Sequence, residues 1–219
     1  MKLALGLILS PIDFPLFPQW LEYHSVYFDK VIVAVDCSAE VLTKYLAENM
    51  PRLPHYKLDI FSFPLNNDFA SMRNAVVQRN LSTIQCDWLV FLDCDEELLN
   101  CQSIRQDIEN AESLGAGIVG FPRINFIGGI ERKDLYPDIQ WRGLTKGGIY
   151  VNMSPSQGAS PGCHETIFSP NSNKYVIPLE ILHTKDEYRF RHKGYLDQNS
   201  TDEDIKLTNR LTNRLKNNV

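Results

Sequence analysis

Cysteine pairs, membrane-length apolar runs and an excess of positive charge are all missing from this sequence. The five cysteines (Cys37, Cys86, Cys94, Cys101 and Cys163) are odd in number and form no CxxC. This argues against a disulfide framework or a cysteine-rich zinc cluster and predicts reduced thiols in a cytoplasmic protein. No stretch approaches the ~20 apolar residues of a transmembrane helix. Leu3–Leu9 is short and runs into Ser10-Pro11-Ile12-Asp13 rather than a small-residue cleavage site, so it reads as a first core strand and not as a leader. Net charge is −5, which disfavours a nucleic-acid partner. A glycine-rich basic phosphate loop after the first strand is also lacking.

What is present suits one packed α/β domain spanning residues 1–219, with an alternating first half (1–100), a second half of different character (101–200) and a C-terminal helix (201–219). Apolar residues make up 43% of the chain, enough for an ordinary core. Strands are expected at 3–9, 30–35, 56–61 and 88–92, alternating with helices at 14–28, 39–49, 68–81 and 100–113. That order implies a mainly parallel sheet flanked by helices. The second half predicts strands at 115–127, 139–142, 148–151 and 175–182. Residues 152–162 are rich in Ser, Pro and Gly and read as a loop that either acts as a lid or is simply variable surface. Leu207, Leu211 and Leu215 recur every four residues in the C-terminal helix.

The densest chemical signal is Trp88-Leu89-Val90-Phe91-Leu92-Asp93-Cys94-Asp95-Glu96-Glu97. An apolar run of this kind suits a strand buried on both faces. Continued alternation predicts that Asp93 and Asp95 point the same way, about 7 Å apart. At an effective dielectric of ~20 their repulsion is a few kcal/mol, which a divalent cation would relieve. Cys94 falls on the other face as a small buried hydrophobe. Glu97 is expected to start a helix.

Three segments together carry a family resemblance: Asn67-Asp68-Phe69-Ala70-Ser71-Met72-Arg73-Asn74, the Trp88–Glu96 strand with its acids, and Cys163-His164-Glu165 followed by Ile181-Leu182-His183. In this order they resemble the FAxxRN, DxD, HE and C-terminal histidine motifs of family-2-type glycosyltransferases with the GT-A fold, over roughly Leu3 to His183. The resemblance implies a Rossmann-like fold for nucleotide-diphospho-sugars, with a nucleotide-binding half (1–100) and an acceptor-binding half (101–200). It implies an inverting, metal-dependent transfer of a sugar from a nucleotide donor, UDP-linked by preference, to a hydroxyl of a glycan or glycolipid.

By this resemblance Glu165 is the general base. Ser10, Asp36, Asp68, Arg73, Asp93, Glu96 and His164 bind the donor, and Asp93, Asp95 and His183 hold the metal. An imidazole ligand suits Mn²⁺ better than Mg²⁺. Each assignment has a plainer alternative. Asp36 either accepts from a base imide or caps the helix at 39–49, for which Ser38 is the better cap; Asp68 is a natural helix cap. Arg73 neutralises a diphosphate or locks Asp93 in a bidentate pair, or else is a surface arginine on an amphipathic helix. Two rival functions remain: a nucleotidyltransferase acting on sugar phosphates, and an inactive sugar-nucleotide-binding or scaffold protein. Lys206, Arg210, Arg214 and Lys216 offer a peripheral contact with an anionic membrane, or else packing on the domain or in a homo-oligomer.

Overall fold

A strand that is apolar from end to end has no side to leave in water. β1 (Leu3–Leu9) accordingly lies inside the sheet with six of its seven residues buried. The structure is a computed structural model that describes residues 1–49, 57–65, 68–127, 130–152 and 165–185. After β1 the chain runs through α1 (Phe17–Ser25), β2 (Lys30–Val35), α2 (Ala39–Asn49), β3 (Leu58–Ser62), α3 (Phe69–Arg79), β4 (Trp88–Phe91), β5 (Glu96–Leu98) and α4 (Ile104–Ser113). It continues through β6 (Ile118–Ile127), β7 (Ile130–Glu131), β8 (Asp138–Thr145), β9 (Ile149–Asn152), β10 (Glu165–Phe168), β11 (Lys174–Val176) and β12 (Ile181–Lys185).

The main sheet has the order β3-β2-β1-β4-β8-β6-β12-β5, with β7 and β11 also pairing to β6. β3, β2, β1 and β4 are mutually parallel, and so are β6, β11 and β12. Among the described residues of this sheet, only β8, β7 and β5 run against their neighbours. Alternation along each central strand feeds two cores. Val31, Val33 and Val35 of β2 pack with Phe17, Leu21, Leu42 and Ile108 from α1, α2 and α4, whereas Ile32 and Ala34 pack with Met72 and Val76 of α3. Burying each such side chain contributes about 1.5–3 kcal/mol. Helices therefore cover both faces, as the strand–helix alternation predicts. Parallel strands place their carboxyl ends along one edge, so the ends of β1, β2, β3 and β4 share a rim.

Several boundaries depart from expectation. β6 starts at Ile118 rather than at Gly115 because Gly115 (φ +82°) closes α4. Ala116 N donates to Ala111 O and Gly115 N to Glu112 O, the paired bonds of a glycine-terminated helix. The strand expected at 175–182 is two strands, β11 and β12, with Pro178 between them. Glu97 begins no helix, for it lies in β5, whose hydrogen bonds to β12 outweigh any local helical preference. The expected helix at 201–219, Cys163, His164 and all but Asn152 of the 152–162 loop lie outside the described residues. Among the described residues no helix is long and apolar enough to cross a membrane, and no disulfide joins the described cysteines.

Candidate functional site

The strand carrying the acids ends earlier than alternation predicts. β4 stops at Phe91, and Glu96 N donates to Asp93 O (2.9 Å), closing a turn over Asp93–Glu96. Asp93 and Asp95 therefore do not share a strand face. The turn sends Asp93 toward α3 and β8, and it sends Asp95 toward β12.

Asp93 meets two arginines. Arg73 Nη2 donates to its Oδ1 (3.1 Å) and Arg142 Nη2 to its Oδ2 (2.9 Å). Arg73 projects from α3 between aromatic rings, 5.3 Å from the centroid of Phe91 and 5.5 Å from that of Tyr150, and its Nε donates to Glu165. Both guanidiniums are buried. Burial alone would lower their pKa, but Asp93, with Glu165 beside Arg73 and Glu96 beside Arg142, outweighs it and holds them protonated. Burial raises the Tyr150 phenol, and the two arginines only partly offset that.

Arg142 reaches Asp93 because of an irregularity in β8. Gly143 pairs with Val119 and Trp141 with Gly120, so Arg142 is the extra residue of a β-bulge. A bulge of this kind re-aims one side chain out of the regular alternation. Gly143 is required beside it, since a Cβ there would run into Val119 Cγ2.

Glu165 arrives by a chain of contacts beginning in the FAxxRN segment. Asn74 Nδ2 donates to Tyr150 O and Tyr150 N donates to Asn74 Oδ1, both at 2.8 Å. This sews β9 to α3. Asp68 caps α3, accepting from Ser71 N (3.0 Å), and also accepts from Asn152 Nδ2 (2.9 Å) at the end of β9. The Ser71 bonds, then that from Asn152, hold its carboxyl below the usual range. β10 pairs antiparallel with β9, Glu165 opposite Asn152, which brings Glu165 to Arg73. Asp68, Arg73 and Asn74 thus each attach the β9–β10 ribbon to the helix.

Asp95 meets His183 through strand register. Glu96 pairs with His183 across β5 and β12, and Thr184 N donates to Asp95 O (3.1 Å). His183 Nε2 then lies 3.6 Å from Asp95 Oδ2, with both side chains largely buried. His183 Nδ1 is 2.8 Å from Asn125 Oδ1, and Asn125 Nδ2 donates to Asp138 Oδ2 (3.2 Å). This network assigns the amide orientation and makes Nδ1 a donor to Asn125 Oδ1. Nε2 faces the Asp95 carboxylate, and together they form a histidine–carboxylate pair. Among the described residues no three His, Cys, Asp or Glu side chains form a complete metal cage. Asp95 and His183 offer two donors of a kind that a hard-to-borderline cation accepts, fewer than such an ion needs.

Two expected site residues hold other posts. Glu96, expected to contact the sugar, has a fully buried side chain. Its oxygens accept from Arg142 Nη2 (2.7 Å), Arg123 Nη1 (3.2 Å) and Asp93 N (3.0 Å), so it braces the turn from beneath. Asp36 accepts from Leu65 N (2.7 Å), holding the segment after β3, while Ser38 O and Oγ receive the first amides of α2. Ser10 and Asp36 lie half-buried at the ends of β1 and β2, on the same rim as Asp93. His164 lies outside the described residues. Arg142, Arg123, Asn125, Asp138 and Tyr150 escaped sequence reading. Arg123, Asn125, Asp138 and Arg142 show only as polar residues inside β6 and β8, Tyr150 in β9 gives no signal of its own, and no motif surrounds any of them.

No family model matches the sequence, and no curated protein is detectably similar to it. The fold has solved counterparts. The structure resembles the crystal structure of GalNAc-T7 with UDP, GalNAc and Mn²⁺, with a TM-score of 0.54 at 9% identity, covering 85% of this chain. This protein spans 44% of that chain. The α/β architecture, a mostly parallel sheet flanked by helices, matches the GT-A glycosyltransferase fold. A mannose-1-phosphate geranyltransferase from Thermus thermophilus gives a TM-score of 0.38 at 13% identity over 57% of this chain and 42% of its own, too low to bear on the fold.

Proposed function

We propose that this protein is an inverting, metal-dependent glycosyltransferase that moves a sugar from a nucleoside-diphosphate donor, UDP-linked, to a hydroxyl of a glycan or glycolipid. The observation that carries this reading is the pair of clusters on either side of the turn after β4, Glu165–Arg73–Asp93 and Asp95–His183, drawn from separate segments of the chain.

Glu165 takes the proton of the acceptor hydroxyl as that oxygen attacks the anomeric carbon. The bond from that carbon to the diphosphate oxygen breaks, its electron pair leaves with the nucleoside diphosphate, and the anomeric configuration inverts. Arg73 orients Glu165 and Asp93 together, so base and donor contact are set by one buried side chain. Asp93, engaged by two arginines, is better suited to a ribose hydroxyl than to a metal. Asp95 and His183 would hold Mn²⁺ in preference to Mg²⁺, and such an ion, once bound, would supply Lewis-acid stabilisation of the departing diphosphate. Ser10 and Asp36, at the ends of β1 and β2, would meet the base and ribose, with Asp68 reaching the donor from the start of α3.

Thermal shift with UDP, UDP-sugars and other nucleotides, with and without Mn²⁺, tests the reading. The largest rise is expected with UDP plus Mn²⁺ and is lost in Asp95→Ala; an equal rise in that variant removes Asp95 from the metal. Slow release of UDP from a UDP-sugar is expected as well. Exchange of pyrophosphate with triphosphates would instead identify a nucleotidyltransferase, and nucleotide binding without any turnover a scaffold.

A further inference from the structure

Helix α1 is apolar on two sides, and the described part of the fold covers one of them. Phe17, Trp20, Leu21 and His24 face inward and are buried. Leu16, Tyr23 and Val26 recur along the outer side at helical spacing and are 43%, 40% and 66% exposed. A surface helix ordinarily turns charged and polar residues to water on that side. Beside this stripe a groove of about 310 Å³ runs between α1 and the β5–β12 pair. Its walls are fixed: Trp20 Nε1 donates to Glu96 O (2.8 Å), and Leu98 N donates to His24 Nε2 (3.2 Å). Leu16, Tyr23 and Leu182 give the groove apolar surface, while Asp95 and Glu97 give it carboxylates. Glu96 also borders it but is neutralised by Arg123 and Arg142 behind it. Among the described residues no lysine or arginine belongs to the lining.

An apolar stripe bordered by negative charge matches a partner of the opposite pattern, and the chain carries one. The sequence of residues 201–219 predicts a helix with Leu207, Leu211 and Leu215 in one row. Lys206, Arg210 and Arg214 form a second row, each one position ahead of a leucine, so basic groups run alongside the apolar edge. Position agrees with pattern. Leu182 and Thr184 of the groove wall belong to β12, which ends at Lys185. Fifteen residues, 186–200, separate that strand from Thr201. A stretch of this length reaches up to about 50 Å, so a return to the groove meets no geometric bar. Tethering also gives the segment a far higher effective concentration than a free partner has. We propose that residues 205–216 seat as a helix in this groove, the leucines against Leu16, Tyr23 and Leu182 and the basic row toward Asp95 and Glu97. The contact covers the acid turn on the sheet face away from Arg73 and Glu165, and it does not depend on the glycosyltransferase reading.

Photo-crosslinking of the full chain tests it. With Leu211→p-benzoylphenylalanine, irradiation is expected to give a crosslink within one chain that maps to residues 16–26, 94–98 or 182–184, at a yield independent of protein concentration. Adding Glu97→Lys is expected to lower that yield about threefold, by setting like charge against the basic row. Hydrogen exchange in α1 is expected to quicken about fivefold in the double variant Leu207→Asp, Leu211→Asp, with exchange in β1 unchanged. Should β1 quicken as well, the double variant has lost its fold and the crosslink map alone decides. No crosslink, a crosslink elsewhere in the chain, a yield indifferent to Glu97→Lys, or unchanged exchange in α1 overturns the proposal. Crosslinks between chains that grow with protein concentration also overturn it and identify a second copy as the occupant.

Discussion

At the scale of single residues, Arg142 is where charge and burial meet most sharply. Its guanidinium lies between Asp93 and Glu96, and the Glu96 side chain has no exposed surface at all. Removing one partner from a buried ion pair strands the other charge, which costs more than the pair's own net contribution. Arg123 remains beside Glu96 and softens the loss. Arg142→Met is therefore expected to destabilise the fold by about 2–4 kcal/mol in urea unfolding. Arg142→Lys should recover only part of this, because one ammonium cannot reproduce the planar fork. A loss under about 0.5 kcal/mol would mean that Arg123 alone satisfies Glu96.

At the scale of elements, two contacts between segments make separate predictions. The first is His24, which joins α1 to β5 as a neutral ring, donating at Nδ1 and accepting at Nε2. Burial pulls its pKa down to about 4, with the bond to Trp20 O opposing only in part. A folded-state pKa below the unfolded value means the unfolded chain binds the proton more tightly. The stability associated with His24 is thus fully present above about pH 6.5 and is lost as pH falls toward 4, by up to about 3 kcal/mol. Urea midpoints measured between those limits should fall more steeply in the wild type than in His24→Gln, and parallel slopes would contradict the assignment. The second contact is Asn74, whose two bonds to Tyr150 attach β9 to α3. Asn74→Ala leaves a buried amide and carbonyl unpaired and should cost about 1–3 kcal/mol. Hydrogen exchange should accelerate in β9 and β10 before it does in α3. Uniform acceleration across the chain would show that the ribbon does not open separately.

At the scale of the whole molecule, stability should be uneven in a way that places rigidity under the site. β1, β2 and β4 lie inside the sheet with both faces packed, whereas β9 and β10 form a separate two-stranded sheet with Ile149, Val151 and Phe168 exposed. Central amides should exchange only through global unfolding, and those of the ribbon through a cheaper local opening. Equal protection in both would show one cooperative unit. On this arrangement the acids stand in the turn at the tip of the central sheet while Glu165, the proposed base, rides on the separate β9–β10 ribbon.

Much of the sheet follows from local sequence. Apolar runs with no polar side, as in Leu3–Leu9 and Lys30–Val35, can be satisfied only by a strand covered on both faces, and helices alternating between such strands force parallel neighbours. Asp68 and Ser38 are legible as caps because capping involves residues only a few positions apart. The β4–β5 turn is not legible, since whether Asp93 and Asp95 continue a strand depends on β12 arriving to pair with Glu96–Leu98. Arg142 is aimed by a bulge against β6, and its neighbours Arg123, Asn125 and Asp138 matter only because β6 and β8 lie side by side. Local pattern thus determined the parallel core and the acid-tipped strand, because periodicity and capping act over a few residues. Tertiary structure alone decided which carboxylate faces an arginine and which a histidine, because that choice rests on register between strands distant in sequence and on the burial of charges that only the finished fold removes from water.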